Sequence, residues 1–518
     1  MSIDHQDIID LPEWRPRAVL PNASAAGVCL ACDLRNNEDR HPEIFQLASA
    51  AILNGFHTKN DGPMFIGSPA LTGVFGAGAD IVLCPSLGPR GVIAAGATTS
   101  KFTLSTALPA AIASMQLSGR GDGKGFKVRI IDNAAGGSGK TEERYVIANT
   151  GGTTPAITVD SPFSFTPGNG ATYEFLSGRV FMLSAGTLAA GMWKWYDILT
   201  NSFSGNLATT NLPATIGTDS ELIALDELHV PATKNPGDGF LGQIAATAVA
   251  ATTITGSTAG NDAAVLANEY RNFQIRIVQD TVNPTAVGQR RKITSHTAGA
   301  SPVYTVPTWT VNPSTSAIFV IENANEILLF SSAATTTYTY APFLIGAMAA
   351  DTWSTTTYGA RGSAVGAGVC GFQSFGIALD ADKNNRYSFV FSFRGGASSA
   401  LDLLDIAGGA NGLWSNAIVY GSGPTLTTGS SLVYDPATNG GKFAYVNVSG
   451  LQNMYRFNCS TRQLNEWAQL RYAQGAAVVG KKMAYAVAIN PTTPTDKLGV
   501  LLTMRSTGAE VFDMILER

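Results

Sequence analysis

The segment 134–141, AAGGSGKT, comes nearest of any in this chain to a nucleotide-binding motif. It matches the phosphate-binding P-loop pattern except that Ala134 stands at the first glycine. A P-loop needs a preceding strand and a following helix, whose N-terminal amides face the phosphates. Residues 142–147, EERYVI, are typical of a strand, and the comparable turn at 284–289 has no Lys-Thr pair. The sequence therefore predicts a mobile hairpin loop here.

A second pattern could bind calcium. Asp380, Asp382 and Asn384 occupy positions 1, 3 and 5 of a calcium-binding loop. Asn385 replaces the required glycine, and Phe391 replaces the bidentate glutamate. This favours an Asx-rich turn between strands, with a weak ion site of a different geometry as the alternative.

The cysteines and histidines are scattered along the chain. Cys29 and Cys32 have the spacing of a zinc-binding pair, but no second Cys or His pair lies nearby, which favours buried small residues. Five cysteines are an odd number and suit a reducing cytosol better than a disulfide framework. The five histidines have no nucleophile elbow beside them. The RGD tripeptide at 120–122 lies in a glycine-rich run typical of a flexible turn.

Tryptophans could stack on sugar rings, and six are candidates for this role: Trp14, Trp193, Trp195, Trp353, Trp414 and Trp467. Most of them occupy a fixed place after a polar residue at the end of a predicted strand, which favours packing between sheets. Trp193 and Trp195 fall outside that rule. No paired carboxylates with a recognisable spacing indicate glycosidase chemistry. We predict no catalytic residue, no resident metal and no cofactor.

The stretch 430–472 predicts the elements that position these tryptophans. Its four short runs are rich in aromatic and β-branched residues and are separated by turn-forming residues. This is a four-stranded antiparallel meander of about 40 residues, the length of one β-propeller blade. A similar order begins at 375–379. Asp405 precedes Trp414 by nine residues, as Asn458 precedes Trp467, so the spacing indicates a repeated unit.

Two further units are each interrupted by about 90 residues between their first and second strands. The interruptions resemble each other, because FKVRII at 126–131 matches FQIRIV at 273–278 with an offset of 147. We predict five or so strands in each. At the C-terminus three strands lack a fourth, and we predict that Trp14 completes that sheet. Closing a ring in this way removes free sheet edges.

The predicted fold class is all-β: a propeller of about six blades, closed by the N-terminal strand, with two inserted homologous small β-sandwich or barrel domains. Five or seven blades are the alternatives. The expected divisions are propeller at 1–97, 179–236 and 326–518, with inserted domains at 98–178 and 237–325. The structural blade positions are Trp14, Asp197, Phe203, Trp353, Asp405, Trp414, Asn458 and Trp467.

The amino-acid composition limits the classes of protein to which this chain could belong. Charged residues make up 14%, hydrophobic residues 45%, and 55 positions are glycine, which indicates a turn-dense β-protein with a sizeable core. The net charge of −4 gives no reason to expect a general nucleic-acid or membrane binder, although a local basic patch stays open. The acidic N-terminal segment indicates no signal peptide, and no apolar run is long enough to predict a transmembrane helix.

Two motifs carry a family resemblance. The pattern YDPATNGGKFAYV at 434–446, with MYRFN at 454–458 and EWA at 466–468, resembles kelch-type propellers. The repeated F-x-[VI]-R-I-[IV] strand resembles small β-domains of tailed-phage virion proteins. Together they resemble the tail nozzle (tubular tail) proteins of short-tailed phages. The chain is shorter than a typical nozzle, so nozzle, collar, another tail component and capsid-associated protein stay open.

The resemblance implies a structural virion protein, made in the host bacterial cytoplasm, that forms a symmetric ring around the DNA path. Its partners would be other copies of itself and neighbouring virion proteins on the adaptor or portal side, in tail fibres or in the capsid. DNA would be passing cargo, so a neutral or acidic inner wall is expected. A carbohydrate- or receptor-binding propeller is the alternative, and a propeller glycan hydrolase is less favoured.

Overall fold

The computed structural model describes most of the chain. The described residues are 15–19, 29–32, 44–49, 52–56, 63–64, 75, 78–118, 125–229, 239–257, 264–342, 351–362, 365–374, 388–435, 441–469, 483–489, 497–503 and 511–517. This part of the chain is all-β, with a short 3-10 turn at Pro284–Ala286. Within the described residues, no helix is long and apolar enough to span a membrane.

Six sheets of four antiparallel strands make up the body of the molecule, and we name them A to F. Sheet A contains β2 (Cys29–Cys32), β3 (Ile44–Ser49), β4 (Ile52–Phe56) and β5 (Pro63–Met64), and sheet B contains β6 (Asp80–Cys84), β13 (Arg179–Leu183), β15 (Trp193–Asp197) and β16 (Ser202–Phe203). Sheet C contains β18 (Glu221–Leu225), β26 (Glu326–Phe330), β27 (Thr337–Ala341) and β28 (Thr352–Ser354), and sheet D contains β29 (Cys370–Gln373), β30 (Phe389–Phe393), β31 (Ala400–Asp405) and β32 (Leu413–Val419). Sheet E contains β33 (Ser431–Asp435), β34 (Phe443–Asn447), β35 (Asn453–Asn458) and β36 (Gln463–Gln469), and sheet F contains β37 (Met483–Ile489), β38 (Lys497–Thr503), β39 (Val511–Glu517) and β1 (Arg15–Val19). A separate two-stranded ribbon pairs β14 (Gly186–Thr187) with β17 (Thr215–Ile216).

Sheet F combines strands from both ends of the chain. β1 pairs antiparallel with β39, with Arg15 opposite Met514 and Val19 opposite Val511. Trp14, the predicted closing residue, lies just outside the described residues. The N-terminal segment is therefore the fourth strand of a sheet whose other three strands are C-terminal.

The first strands of the six sheets contact one another in a cyclic order: β2, β6, β18, β29, β33, β37 and back to β2. β6 and β18 run side by side in one direction. Near their starts the Asp80 carboxylate accepts a hydrogen bond from the Leu222 amide at 2.6 Å. Beyond their ends the Asp226 carboxylate accepts one from Ser86. The first strands thus surround a common centre.

Neighbouring sheets share apolar cores rich in aromatic side chains. Trp193 of sheet B lies against Tyr340 and Trp353 of sheet C, with ring centroids 5.1 and 5.0 Å apart. Phe372 of sheet D lies 4.8 Å from Tyr434 of sheet E. Each buried aromatic ring removes a large apolar area from water, so these contacts stabilise the packing of sheet against sheet.

Two modules interrupt sheets B and C at the same connection, between the first and second strands. Module 1 contains β7 (Arg90–Val92), β8 (Lys101–Thr103), β9 (Lys127–Ile131), β10 (Thr141–Asn149), β11 (Ala156–Val159) and β12 (Thr172–Phe175). Module 2 contains β19 (Ile244–Ala250), β20 (Thr253–Gly256), β21 (Gln274–Gln279), β22 (Arg290–Lys292), β23 (Ser295–His296), β24 (Val303–Thr305) and β25 (Ile318–Glu322).

The two modules have the same strand order. Module 1 runs β7-β12-β9-β10-β11-β8, and a bridge between Ile93 and Leu104 joins β7 to β8. Module 2 runs β22-β21-β25-β19-β20-β24-β23. This is the same cyclic order, in which β19, β20, β21, β24 and β25 correspond to β7, β8, β9, β11 and β12, and β22 and β23 together take the place of β10. In each module the first and last strands of the order therefore meet.

Two boundaries differ from the sequence expectation. β7 pairs with β12, with Val92 opposite Thr172, so module 1 includes residues before 98, the boundary expected from the sequence. The first strand of sheet D is Cys370–Gln373, held opposite β30. The predicted strand 375–379 lies outside the described residues.

Candidate functional site

Three of the polar blade positions end the third strand of a sheet and shape the turn that follows. Asp197 accepts a hydrogen bond from the Thr200 amide at 3.0 Å, and Asn458 accepts one from the Ser460 amide at 2.9 Å. The Asp405 carboxylate accepts one from the amide two positions later, at 3.0 Å. These are Asx-type turns, in which the side chain fixes the backbone.

Trp414 and Trp467 each lie nine residues after a polar residue, but the hairpins that precede them differ in length. Asp405 pairs with Leu413, after a connection at 406–412, whereas Asn458 pairs with Gln463, after a shorter connection at 459–462. Trp414 is therefore the second residue of β32, while Trp467 lies late in β36. The equal nine-residue spacing therefore places the two tryptophans at different points of their fourth strands.

The two tryptophans also face different neighbours. The Trp414 indole donates to the Gly359 carbonyl at 2.7 Å and lies 5.6 Å from the Phe330 ring of sheet C. Trp467 lies 4.8 Å from Tyr445 of its own sheet. Equal sequence spacing does not make these two positions structurally equivalent.

The two remaining aromatic blade positions within the described residues also pack against protein. Trp353 is buried between sheets B and C, and the amide group of Asn211 donates to its carbonyl at 2.9 Å. Phe203 is half-buried, with its ring 5.2 Å from that of Tyr196. Neither side chain provides a reactive group.

The P-loop-like segment 134–141 is a hairpin between β9 and β10. The Asp132 carboxylate accepts hydrogen bonds from the amides of Ser138 and Gly168. Because one turn amide is bound to Asp132 and a strand follows the turn, the phosphate-binding geometry is missing. The calcium-like residues 380–384 and the tripeptide 120–122 lie outside the described residues. Among the described residues, no cluster of His, Cys, Asp or Glu is placed to hold a metal ion.

Cys29 and Cys32 lie on β2, three positions apart, and their side chains point to opposite faces of the sheet. Cys29 is fully buried, and neither cysteine forms a disulfide. His229 and His296 are buried, and the other three histidines lie outside the described residues. These residues do not assemble into a catalytic group.

The main polar feature of the interior is an ion cluster. It lies where the two modules meet the segment that leads from β18 into module 2. We call this segment the stem of module 2, and the segment that leads from β6 into module 1 the stem of module 1. Arg129 of β9 is fully buried and donates to Glu227 at 2.7 Å and to Glu174 at 3.2 Å. It also contacts Glu143 of β10 at 2.9 Å. Glu227 lies just after β18, so this one arginine joins module 1 to the start of module 2.

Module 2 supplies the other arginines of the cluster. Arg290 of β22 donates to both oxygens of Glu174, at 3.0 and 2.9 Å, and lies 3.4 Å from Glu227. Arg276 of β21 forms a bidentate pair with Glu322 of β25, with a shortest distance of 2.6 Å. The Arg290–Glu174 pair connects the sheets of the two modules through charge-assisted hydrogen bonds, whereas the Arg276–Glu322 pair lies within module 2.

We call this cluster the junction and define it by eight charged residues: Lys127, Arg129, Glu143, Glu174, Glu227, Arg276, Arg290 and Glu322. Its four cations balance its four glutamates. Taking so many charges out of water costs free energy, and only good geometry offsets that cost. Removing a fully buried member such as Arg129 would leave Glu174 and Glu227 buried with less compensation.

The arginines change the protonation of the glutamates. Burial alone would raise the pKa of Glu227, but Arg290 and Arg129 outweigh it and bring that pKa down to about 2. The same arginines lower the pKa of Glu174 against its burial. Both carboxylates are therefore ionised over the physiological range.

The junction arginines follow the repeat found in the sequence. Arg129 and Arg276 occupy the same place in the two F-x-[VI]-R-I-[IV] strands, 147 residues apart. On the following strand, Arg144 and Arg291 lie over the rings of Phe163 and Trp309, at 5.2 and 5.5 Å. In the sequence, Arg129 and Arg276 are each a charged residue in the middle of an apolar strand, and that pattern is the signal for a buried ion pair at these positions.

A small cavity lies at the centre of the six sheets. Residues of all six first strands line it, among them Leu30, Ile81, Leu222, Phe372, Leu432 and Met483. Its volume is ≈ 100 Å³. The lining is mostly apolar, so the cavity offers few groups for recognition or catalysis.

No protein-family model matches this chain, and no curated protein matches it either. Among solved structures it is similar to an auxiliary nutrient binding protein from Bacteroides thetaiotaomicron, with a TM-score of 0.22 and 8% identity over 83% of this chain and 84% of that one. A protein of the same description from Bacteroides ovatus gives a TM-score of 0.22 and 11% identity, over 83% and 84%. Similarity this low carries no argument about fold or function.

Proposed function

We propose that the six sheets are blades of a six-bladed β-propeller, closed by β1, and that the modules are homologous β-barrels inserted into neighbouring blades. The cyclic contacts of the first strands and the cores shared between neighbouring sheets support the ring. The equal strand orders of the modules, and the repeated placement of Arg129 and Arg276, support the duplication.

We further infer that the chain is a structural, non-enzymatic component of a tailed-phage virion. It would form a ring of copies around the DNA exit path in the tail, with the modules contacting neighbouring subunits or adjoining virion proteins. The observation that carries this inference is the junction. Its buried ion pairs fix both modules against the stem of module 2, and a structural subunit needs such a fixed arrangement to contact its neighbours in a defined way.

The DNA path would lie between copies of the chain. The cavity inside a single chain, at ≈ 100 Å³, is far too small for a duplex. A ring interface is heterologous, so a module of one copy would dock on a different surface of the next. The low proportion of charged residues, 14%, suits a protein with extensive contact surfaces, because interface cores are depleted in charge.

The alternative of a carbohydrate-binding propeller needs aromatic rings that are open to a sugar. Trp193 and Trp353 are buried, and the guanidinium of Arg179 lies 4.1 Å from the ring centre of Trp195. The Trp414 indole is bonded to a backbone carbonyl. Packing therefore occupies these side chains, and the structural role is favoured.

Mass photometry of the full chain over a range of concentrations tests the proposal, with glycan-array binding in parallel. We expect one discrete oligomer of several copies and no specific glycan signal. A monomer at every concentration that binds a defined sugar would overturn the structural role in favour of the alternative.

A further inference from the structure

Asp226 and Ser86 join the stems of the two modules. Ser86 lies between β6 and module 1, and Asp226 lies between β18 and module 2. The Asp226 carboxylate accepts hydrogen bonds from the Ser86 amide at 3.2 Å and from its hydroxyl at 2.8 Å. It also accepts one from the Leu228 amide at 2.8 Å. This contact holds the two stems together on the body side of the junction.

In the part of the chain that the structure describes, Asp226 accepts hydrogen bonds only from neutral donors, namely the amides of Ser86 and Leu228 and the Ser86 hydroxyl. The junction glutamates, in contrast, are paired with arginines. Asp226 is 1% exposed and directly precedes Glu227.

Glu227 and Cys84 interact electrostatically with Asp226. The strands that lead to this contact also carry Asp80 and Glu221, and His229 lies three positions after Asp226. The charged groups of the neighbouring junction are Arg129, Arg276, Arg290, Glu174 and Glu322. Within the described residues, no arginine or lysine forms an ion pair with Asp226, so an ionised Asp226 is a buried negative charge without a matching cation.

We propose that Asp226 is a proton-operated clamp between the stems of the two modules. With a proton on its carboxyl group, it holds Ser86 and the modules stay fixed. When ionised, it places a second buried negative charge beside Glu227 and loosens the stems. The contact with the Ser86 hydroxyl serves both forms, because a hydroxyl donates to a carboxylate and accepts from a carboxylic acid.

The electrostatics place this change near neutral pH. Burial, and then the charge of Glu227, raise the pKa of Asp226 to about 7, although bonds from Leu228 and Ser86 oppose the rise. A carboxyl group whose pKa is raised by folding destabilises the folded form as pH rises through that value. The stems should therefore be tighter at pH 6 than at pH 8. This inference does not depend on the proposed virion role.

Hydrogen–deuterium exchange of the full-length protein between pH 6 and pH 8 tests the clamp, after correction for the intrinsic pH dependence of exchange. In the wild type, we expect protection of the stem peptides at 84–90 and 224–229 to fall roughly tenfold as pH rises. Asp226→Asn keeps the side-chain shape and removes the charge. It should retain the protection seen at pH 6 throughout.

Asp280→Asn is the matched control. Asp280 is also buried and accepts bonds from the Asn283 amide and the Ser314 hydroxyl, but it lies at the far end of β21. This variant should keep the wild-type pH dependence of the stem peptides. Equal pH dependence in wild type and Asp226→Asn would overturn the proposal. If Asp226→Asn does not fold, a flat wild-type profile would overturn it alone.

Discussion

Arg129 is enclosed by carboxylates and has no exposed surface. Its removal would therefore break its ion pairs with Glu143, Glu174 and Glu227 at once. Arg129→Ala would leave Glu174 and Glu227 buried with fewer cations. Breaking a buried ion pair in this way typically costs about 3–5 kcal/mol. We expect a loss of unfolding free energy in that range, measured by urea denaturation. Arg144→Ala, at a partly exposed pair on the next strand, should cost about 1 kcal/mol or less.

Glu227 makes stability depend on pH in the acid range. Its pKa in the folded protein, about 2, lies below the ordinary value of about 4.3. Its contribution is therefore complete above the ordinary value and is lost as pH falls through the folded value. Between pH 5 and pH 2 we expect wild type to lose about 2–3 kcal/mol more than Glu227→Gln, measured by urea denaturation. Parallel pH profiles would contradict this role.

At the scale of elements, the hairpin between β9 and β10 links the two modules through its backbone. Gly139 has a φ of +64°, and its carbonyl accepts a hydrogen bond from the Asp280 amide at 2.8 Å. A Cβ atom at this position would lie 1.9 Å from the Asp280 carbonyl oxygen. The segment that looks like a nucleotide-binding loop is therefore a contact between modules.

Gly139→Ala should loosen the two modules from each other. Gly136→Ala is the matched control, since Gly136 lies in the same turn with a φ of +77° and open space around its Cβ position. Both substitutions carry the cost of a positive φ, roughly 1 kcal/mol. Only Gly139→Ala should also increase hydrogen exchange in β21. Similar exchange in the two variants would show that the hairpin contact contributes little.

The closing strand β1 gives a prediction for sheet F. Deleting residues 1–20 removes β1 and exposes the edge of β39. We expect a lower melting temperature and greater aggregation, measured by scanning fluorimetry and light scattering. Unchanged melting of the truncated chain would contradict closure by the N-terminus.

The sequence predicted the strands better than it predicted their equivalence. Alternating apolar residues and turn formers located the meander of sheet E, since these patterns depend on neighbours in the chain. The different positions of Trp414 and Trp467 in their strands could not be predicted, because hairpin length changes strand register without changing residue spacing. The junction was missed for a different reason. Its residues, such as Arg129 and Glu227, are 98 positions apart and meet only when neighbouring sheets place the modules side by side.

At the scale of the whole molecule, the modules follow from where they are inserted. β6 and β18 are neighbouring first strands that run in one direction, and each module starts at the same end of its strand. Two equivalent insertions therefore emerge beside each other, and the junction fixes their arrangement. In our proposal, the six sheets together with the two modules, joined through the junction, form one subunit of the ring.

Electron cryomicroscopy of the purified full-length protein tests this account most directly. We predict particles with one rotational axis that contain several copies of the chain. In each copy, the six sheets should surround a closed centre, and the two modules should hold a single orientation. Isolated single chains, with the modules in many orientations relative to the sheets, would contradict both the rigid junction and the ring assembly.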